Sequence, residues 1–186
     1  INEIIPCVIL AGGKGRRMGG KEKGLINLLD RPLISYVLEK VSGKAAPIAL
    51  NINTNFEKFK NFGYEILEDP LKGHLGPLVG ILASLNWAKN IRQKWVLTLP
   101  CDTPFLPQNL IESLLKVKNE NPDLDLVVAK SKGFNHPVIA LWKTDNNLIL
   151  KKAIEEGIRK IDIFTSQLKT AHVNFDEIDE TKSDPF

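Results

Sequence analysis

The sequence predicts an α/β layered fold with a mostly parallel central sheet, carried by a single domain over residues 1–186. Three observations support this. Short apolar runs alternate with segments whose apolar residues repeat at helical spacing, the pattern of a sheet with helices packed on it. Several of these runs end on a polar residue or on glycine, where an open parallel sheet presents its ligand groups. The first run stops at a glycine cluster, and five cations follow within ten residues: Lys14, Arg16, Arg17, Lys21 and Lys23.

The elements follow in order. Val8 to Ala11 reads as a short strand buried on both faces. Pro32 opens a helix with Leu33, Ile34, Val37, Leu38 and Val41 on one stripe, and Gly43 closes it. Ile48 to Ile52 is a second strand, and Tyr64 to Leu67 a third that leads into Glu68-Asp69-Pro70. A glycine-containing loop, Leu71 to Gly76, precedes a helix that starts at Pro77. Trp95 to Leu99 is the fourth strand, terminated by Pro100-Cys101-Asp102-Thr103-Pro104, and Pro107 begins the next helix. Leu124 to Ala129 and Pro137 to Trp142 read as strands separated by a polar turn at Ser131 to Asn135. Asp145 is the expected N-cap of a helix through Ile154. Ile161 to Leu168 reads as a short helix and Ala171 to Phe175 as a last strand.

Composition narrows the class. Hydrophobic residues make up 43% and charged residues 25%, the profile of a globular protein. No apolar run approaches the ~20 residues of a membrane helix, and no signal peptide opens the given chain, which begins at Ile1. A net charge of +3 is too small to argue for nucleic acid. Cys7 and Cys101 fall in or beside buried strands and read as free thiols of a cytoplasmic protein. No Cys/His cluster has zinc spacing.

The glycine cluster has two readings: a phosphate cradle, or a solvated basic turn. Exposed N–H groups ringed by cations suit a polyphosphate. The segment is not a P-loop, because Glu22 stands where Ser or Thr would hold magnesium. It is not the dinucleotide fingerprint, because Met18 occupies the last glycine position. Asp102 is either a turn residue or a magnesium ligand, since magnesium takes one or two carboxylates beside phosphate oxygens and water. Lys23 and Arg17 either reach a phosphate or stay solvated. Asn51 and Asp69 either terminate strands or read a nucleotide; guanine presents N–H donors that require acceptors. Gly76 precedes a helix N-terminus that attracts anions or base acceptors. His136 serves either a second substrate or a turn.

The string Leu10-Ala11-Gly12-Gly13-Lys14, with Arg17-Met18-Gly19 and Lys23-Gly24-Leu25, resembles the signature of nucleotidyltransferases that release pyrophosphate from an NTP. Arg31-Pro32-Leu33, Asn51-Ile52-Asn53, Glu68-Asp69, Gly76-Pro77-Leu78-Val79-Gly80, Pro100-Cys101-Asp102-Thr103-Pro104 and His136-Pro137 follow in order. Together they resemble the molybdenum cofactor guanylyltransferases over nearly the whole chain. The resemblance implies a Rossmann-like three-layer nucleotidyltransferase fold. It also implies transfer of GMP from GTP to the phosphate of molybdopterin, with release of pyrophosphate. By position, Leu10, Ala11, Gly12, Gly13, Lys23, Asn51, Asp69, Gly76 and Asp102 would bind GTP, and His136 would face the pterin. Asp102 would hold Mg2+, and Asp102, Lys23 and Arg17 would act in catalysis. The implied partners are GTP and molybdopterin, extending to molybdoenzymes or other cofactor-biosynthesis proteins. No nucleic acid or membrane is implied, and the expected state is a monomer or weak oligomer. Two departures stand out: Glu22 replaces the family's frequent Asp before Lys23, and the given chain ends at Phe186 before the family's closing Asn-x-Asn-Thr-Pro-Glu segment. A CTP-dependent or sugar-phosphate transferase, or a non-catalytic nucleotide-binding homologue, shares the glycine loop.

Overall fold

The structure is a computed structural model that describes residues 3–12, 22–73, 75–176 and 186. The chain begins with β1 (Ile5–Leu10), then a small hairpin of β2 (Asn27–Leu28) and β3 (Arg31–Pro32), then α1 (Leu33–Val41) and β4 (Ala45–Asn51). It continues through α2 (Phe56–Lys60), β5 (Glu65–Leu67), α3 (Pro77–Asn90), β6 (Trp95–Pro100) and α4 (Leu110–Glu120). The last part comprises β7 (Leu126–Ser131), β8 (Phe134–Lys143), α5 (Asn147–Glu155), α6 (Ile161–Thr165) and β9 (Thr170–Asn174). Seven strands form one sheet in the order β5-β4-β1-β6-β8-β7-β9. Every neighbouring pair is parallel except the two that involve β8. The expectation of a mostly parallel sheet therefore holds, with β8 as the reversed strand.

The reversal has a local cause. Ser131 and Phe134 are paired across a two-residue turn, and both turn residues, Lys132 and Gly133, have positive φ (47° and 82°). Such turns match the twist of antiparallel strands and return the chain directly beside itself. The expected polar turn from Ser131 to Asn135 thus shrinks to two residues, and the strands run into it from both sides.

Layering follows from alternation along the strands. In β1, Ile5, Cys7 and Ile9 point into a core shared with Ile34, Val37 and Leu38 of α1 and with Leu110 and Leu114 of α4. Val8 points to the opposite core, with Leu78, Ile81 and Leu82 of α3, Leu150 of α5 and Phe164 of α6. Phe59 of α2 joins the first core. Helix α1 buries Ile34, Val37, Leu38 and Val41, a single stripe. Helix α3 is buried on nearly every side from Leu78 to Ala88, because it is covered by α5 as well as packed on the sheet. Among the described residues no helix is long and apolar enough to cross a membrane.

Element ends differ from expectation where proline and caps compete. Pro107 makes a turn, its carbonyl accepting from Leu110 N–H at 3.1 Å, and α4 proper starts at Leu110. Asp145 sits inside a 3-10 turn, Thr144–Asn146, and Asn146 takes the N-cap position of α5. The Asp145 carboxylate instead meets Lys89 at 3.1 Å. The helix expected over Ile161 to Leu168 ends at Thr165.

One buried relay ties β8 to the parallel half of the sheet. The Trp142 indole N–H donates to Thr98 Oγ1 at 3.0 Å, and Thr98 Oγ1 donates to the Val138 carbonyl at 2.8 Å. Thr98 and Trp142 are both fully buried. Replacing Thr98 by Val leaves the indole N–H without its acceptor in a dry core. The expected loss is about 1–3 kcal/mol by urea denaturation, whereas Thr98→Ser, which keeps the hydroxyl, retains most of the stability.

Candidate functional site

The site begins with strand register. Leu10, the last residue of β1, pairs with Asn51 of β4 on one side and Pro100 of β6 on the other. Backbone bonds continue past the strands: Ala11 N–H donates to Asn51 O at 3.0 Å, and Cys101 N–H to Leu10 O at 3.2 Å. Three carboxyl ends therefore stop at one level, and the residues after them face one another. This is the point where strand order diverges on either side of β1, the usual ligand crevice of such sheets.

On the β4 side, Asn51 and Asn53 are two residues apart in extended chain, so both side chains project the same way. Asn51 Nδ2 donates to Asp69 Oδ1 at 2.9 Å and to the Leu67 carbonyl at 3.2 Å. Asn53 Nδ2 donates to Asp69 Oδ2 at 2.8 Å, and Asn53 Oδ1 accepts from Asp69 N–H at 2.8 Å. Both carboxylate oxygens of Asp69 are thus pinned, and the two hydrogens of the buried Asn51 amide are both used. The Asn51 Oδ1 atom is turned toward Gly12 and Gly80. A Cβ on Gly80 would lie 2.6 Å from it, and a Cβ on Gly12 would lie 2.2 Å from Asn53 Nδ2. These two glycines are glycine because the amide network occupies the space of their side chains.

Burial raises the Asp69 carboxyl above its ordinary value, against the two amide hydrogen bonds that lower it. Desolvation outweighs the bonds, so the site holds a carboxylate in surroundings that oppose its charge.

On the β6 side, Lys23 Nζ meets Asp102 Oδ2 at 3.1 Å. The two side chains are 47% and 31% exposed, so the pair contributes little to stability and is open to a ligand. Cys101, between β6 and Asp102, is buried, and its thiol is pushed up to about 12, first by burial and then by the adjacent Asp102 charge. It is a packing residue: a Cβ on Gly24 would stand 3.2 Å from its Cβ. Above the amide network, Gly76 (φ 79°) turns the chain into Pro77, aiming the open N-terminus of α3 at the cleft.

These groups line one cleft of about 860 Å³, within the range of small-molecule sites. Of the residues singled out from sequence, Leu10, Ala11, Gly12, Lys23, Asn51, Asp69, Gly76 and Asp102 line it. Gly13 and Arg17 lie outside the described residues. His136 does not line the cleft. Its Nε2 is 2.8 Å from Ser131 Oγ, and its ring lies 4.9 Å from that of Phe186. Val138, two residues further along β8, does line the cleft. Sequence reasoning gave Asn53 no separate role; the signal was its i, i+2 spacing from Asn51. Lys72 and Thr54 also line the cleft and carried no sequence signal.

No group of three or more His, Cys, Asp or Glu side chains among the described residues forms a metal cage. Asp102 is a partly exposed carboxylate at the cleft. That donor set fits a magnesium-like ion, which takes its remaining ligands from phosphate and water, and does not fit zinc.

The MobA-like NTP transferase domain matches residues 7–168. This chain belongs to that family. The MobA-like chain is 38% identical over 173 residues to the molybdenum cofactor guanylyltransferase of Rhodopseudomonas palustris (strain BisB5), covering 91% of this chain and 82% of that one. It is 35% identical over 173 residues to the enzyme of the same name from Shewanella sediminis, covering 93% and 86%. Its fold is similar to the crystal structure of molybdopterin-guanine dinucleotide biosynthesis protein A from Archaeoglobus fulgidus, with a TM-score of 0.73, 27% identity, and coverage of 91% and 83%. The MobA-like chain is therefore a nucleotidyltransferase.

Two measurements check this geometry. Gly80→Ala displaces the Asn51 amide and should weaken NTP binding about tenfold, a loss near 1.4 kcal/mol by calorimetry. The second concerns Asp69, whose folded value lies above its unfolded one. Its contribution favours folding below the ordinary carboxylate range and is lost as pH rises through the raised value. Asp69→Asn should flatten that part of the pH dependence above about pH 4, read by urea denaturation across pH.

Proposed function

We propose that the cleft binds GTP with Mg2+ in the cytoplasm and transfers GMP to the phosphate of molybdopterin, releasing pyrophosphate. The observation that carries this reading is the pinned Asn51–Asn53–Asp69 network in the same cleft as the Lys23–Asp102 pair. One end offers fixed acceptors and the other offers groups suited to a triphosphate. The names of the two relatives described above, both molybdenum cofactor guanylyltransferases, agree with it.

The chemistry needs little from the protein beyond alignment and charge. A phosphate oxygen of the pterin attacks the α-phosphorus of GTP. A new P–O bond forms there, and the bond to the bridging oxygen breaks, taking its electron pair out on pyrophosphate. The attacking phosphate is already ionised, so no general base has to deprotonate it. The protein holds donor and acceptor in line and neutralises charge on the phosphates. Lys23 serves the phosphates directly, with Arg17 and the backbone at Gly12 and Gly13 proposed beside it. Asp102 would hold the metal, whose double positive charge would help to offset the charge on the phosphates.

Asn51 and Asp69 are the proposed readers of the guanine edge or ribose. The Asn51 Oδ1 and the remaining lone pairs of Asp69 are acceptors, and guanine N1–H and N2–H₂ are donors. Discrimination by fixed hydrogen bonds is strong, because a wrong base leaves buried groups unpaired. Gly76, at the α3 N-terminus, completes this side. Strand β8, which brings Val138 to the cleft and carries His136 behind it, is the wall assigned to the pterin.

The deciding experiment is pyrophosphate release across the four NTPs with molybdopterin and magnesium. Release with GTP is expected; release with CTP in its place would overturn the base assignment. Asp102→Ala should cut turnover by about 10²–10³-fold or more, in line with loss of a transition-state charge partner, with an unchanged far-UV spectrum. Lys23→Ala should raise the GTP dissociation constant about tenfold by calorimetry.

A further inference from the structure

Lys23 lies on a three-residue 3-10 turn, Lys23–Leu25, which has too few internal bonds to hold its own position. It is fixed from outside. Behind it, Gly24 is pressed on Cys101. In front, the preceding residue reaches across to the segment after β4: Glu22 Oε1 accepts from Thr54 Oγ1 at 2.5 Å and from Asn55 Nδ2 at 2.8 Å. Asn55 is held in the left-handed conformation (φ 56°) at the start of α2, a conformation Asn tolerates better than most residues. Glu22 also caps the turn from its own backbone, its carbonyl accepting from Leu25 N–H at 3.0 Å. Among the described residues these two hydrogen bonds are the polar side-chain links between the Lys23 turn and this segment.

The Thr54–Asn55 segment is continuous with Asn51 and Asn53, which hold Asp69. We propose that Glu22 is a positioning residue. By latching the Lys23 turn to the Asn51–Asn55 segment, it fixes the distance between the phosphate-binding and base-reading halves of the cleft, and hence the placement of the α-phosphorus. This rests on the proposed function for its substrate, but the latch itself has a readout that needs no substrate. Both donors converge on a single oxygen, so an amide carbonyl in the same place serves, whereas a methyl does not.

The test compares Glu22→Ala, Glu22→Gln, Thr54→Val and the double variant Glu22→Ala/Thr54→Val in the full chain. Hydrogen exchange at the Leu25 and Ile26 amides should accelerate in Glu22→Ala and not in Glu22→Gln. In pyrophosphate release with GTP and molybdopterin, Glu22→Ala should lose about 10–100-fold in kcat, as a misplaced reactant does, with KM for GTP changed less than threefold. Glu22→Gln should recover most of that loss, and the double variant should be no worse than Glu22→Ala. Unchanged amide exchange and kcat in Glu22→Ala would overturn the latch, as would a Glu22→Gln as impaired as Glu22→Ala. Accelerated exchange with no turnover by the wild-type protein would instead overturn the substrate assignment and leave the latch standing.

Discussion

The site depends on the register of β1 against β4 and β6. Because Leu10 is level with both Asn51 and Pro100, the chain leaves three strands at the same height. A slip of one residue in either pair would turn every side chain of that strand to the opposite face. It would also withdraw either Asn51 or Asp102 from the cleft. The register is enforced by burial, since Cys7 and Ile9 belong to one core and Val8 to the other. The hydrophobic alternation of one six-residue strand thus positions polar groups that are distant in sequence.

Within that frame the two sides of the cleft are built differently. The Asn51–Asn53–Asp69 side is closed: both Asp69 oxygens and both hydrogens of the Asn51 amide are paired, glycines make room for it, and its carboxylate is held against desolvation. The Lys23–Asp102 side is a single, partly exposed ion pair. Rigidity suits a base or ribose, whose donors and acceptors have fixed directions. A looser pair suits the proposed triphosphate and metal, which would bring their own charge and replace the contact between Lys23 and Asp102. On the proposed assignment, rigidity and adaptability would be divided along the length of one substrate.

Much of this was legible in the sequence. The apolar runs marked the strands because each is bounded by Gly, Pro, Asn or Asp, and the polar residues ending them became the cleft. What was not legible depends on space and not on pattern. The reversal of β8 rests on two positive-φ residues, Lys132 and Gly133, and only the glycine advertises it. Helix α2 is five residues long and has no stripe to read. His136 read equally as a second-substrate residue or as a turn residue, and its pairing with Ser131 across the hairpin was not visible in the pattern. The pinning of Asp69 by two amides was hidden because Asn51 and Asp69 also read as ordinary strand terminators and Asn53 had no role of its own.

The desolvated Asp69 works against the fold and gives the cleft a charged acceptor. A carboxylate whose charge is opposed by its surroundings lowers stability at neutral pH. Replacing it with a neutral acceptor would remove that penalty but also remove charge-assisted acceptance from a ligand donor, which is about twice as strong as the neutral kind. Binding a donor-rich partner would return what desolvation takes, because the partner's N–H or O–H groups would stabilise the ionised form of this half-buried carboxylate at the cleft wall. On the proposed assignment, the preference for such a ligand would be built into the unliganded site. It would be maintained by Asn51, Asn53, Gly12 and Gly80, none of which has to touch the reacting phosphorus.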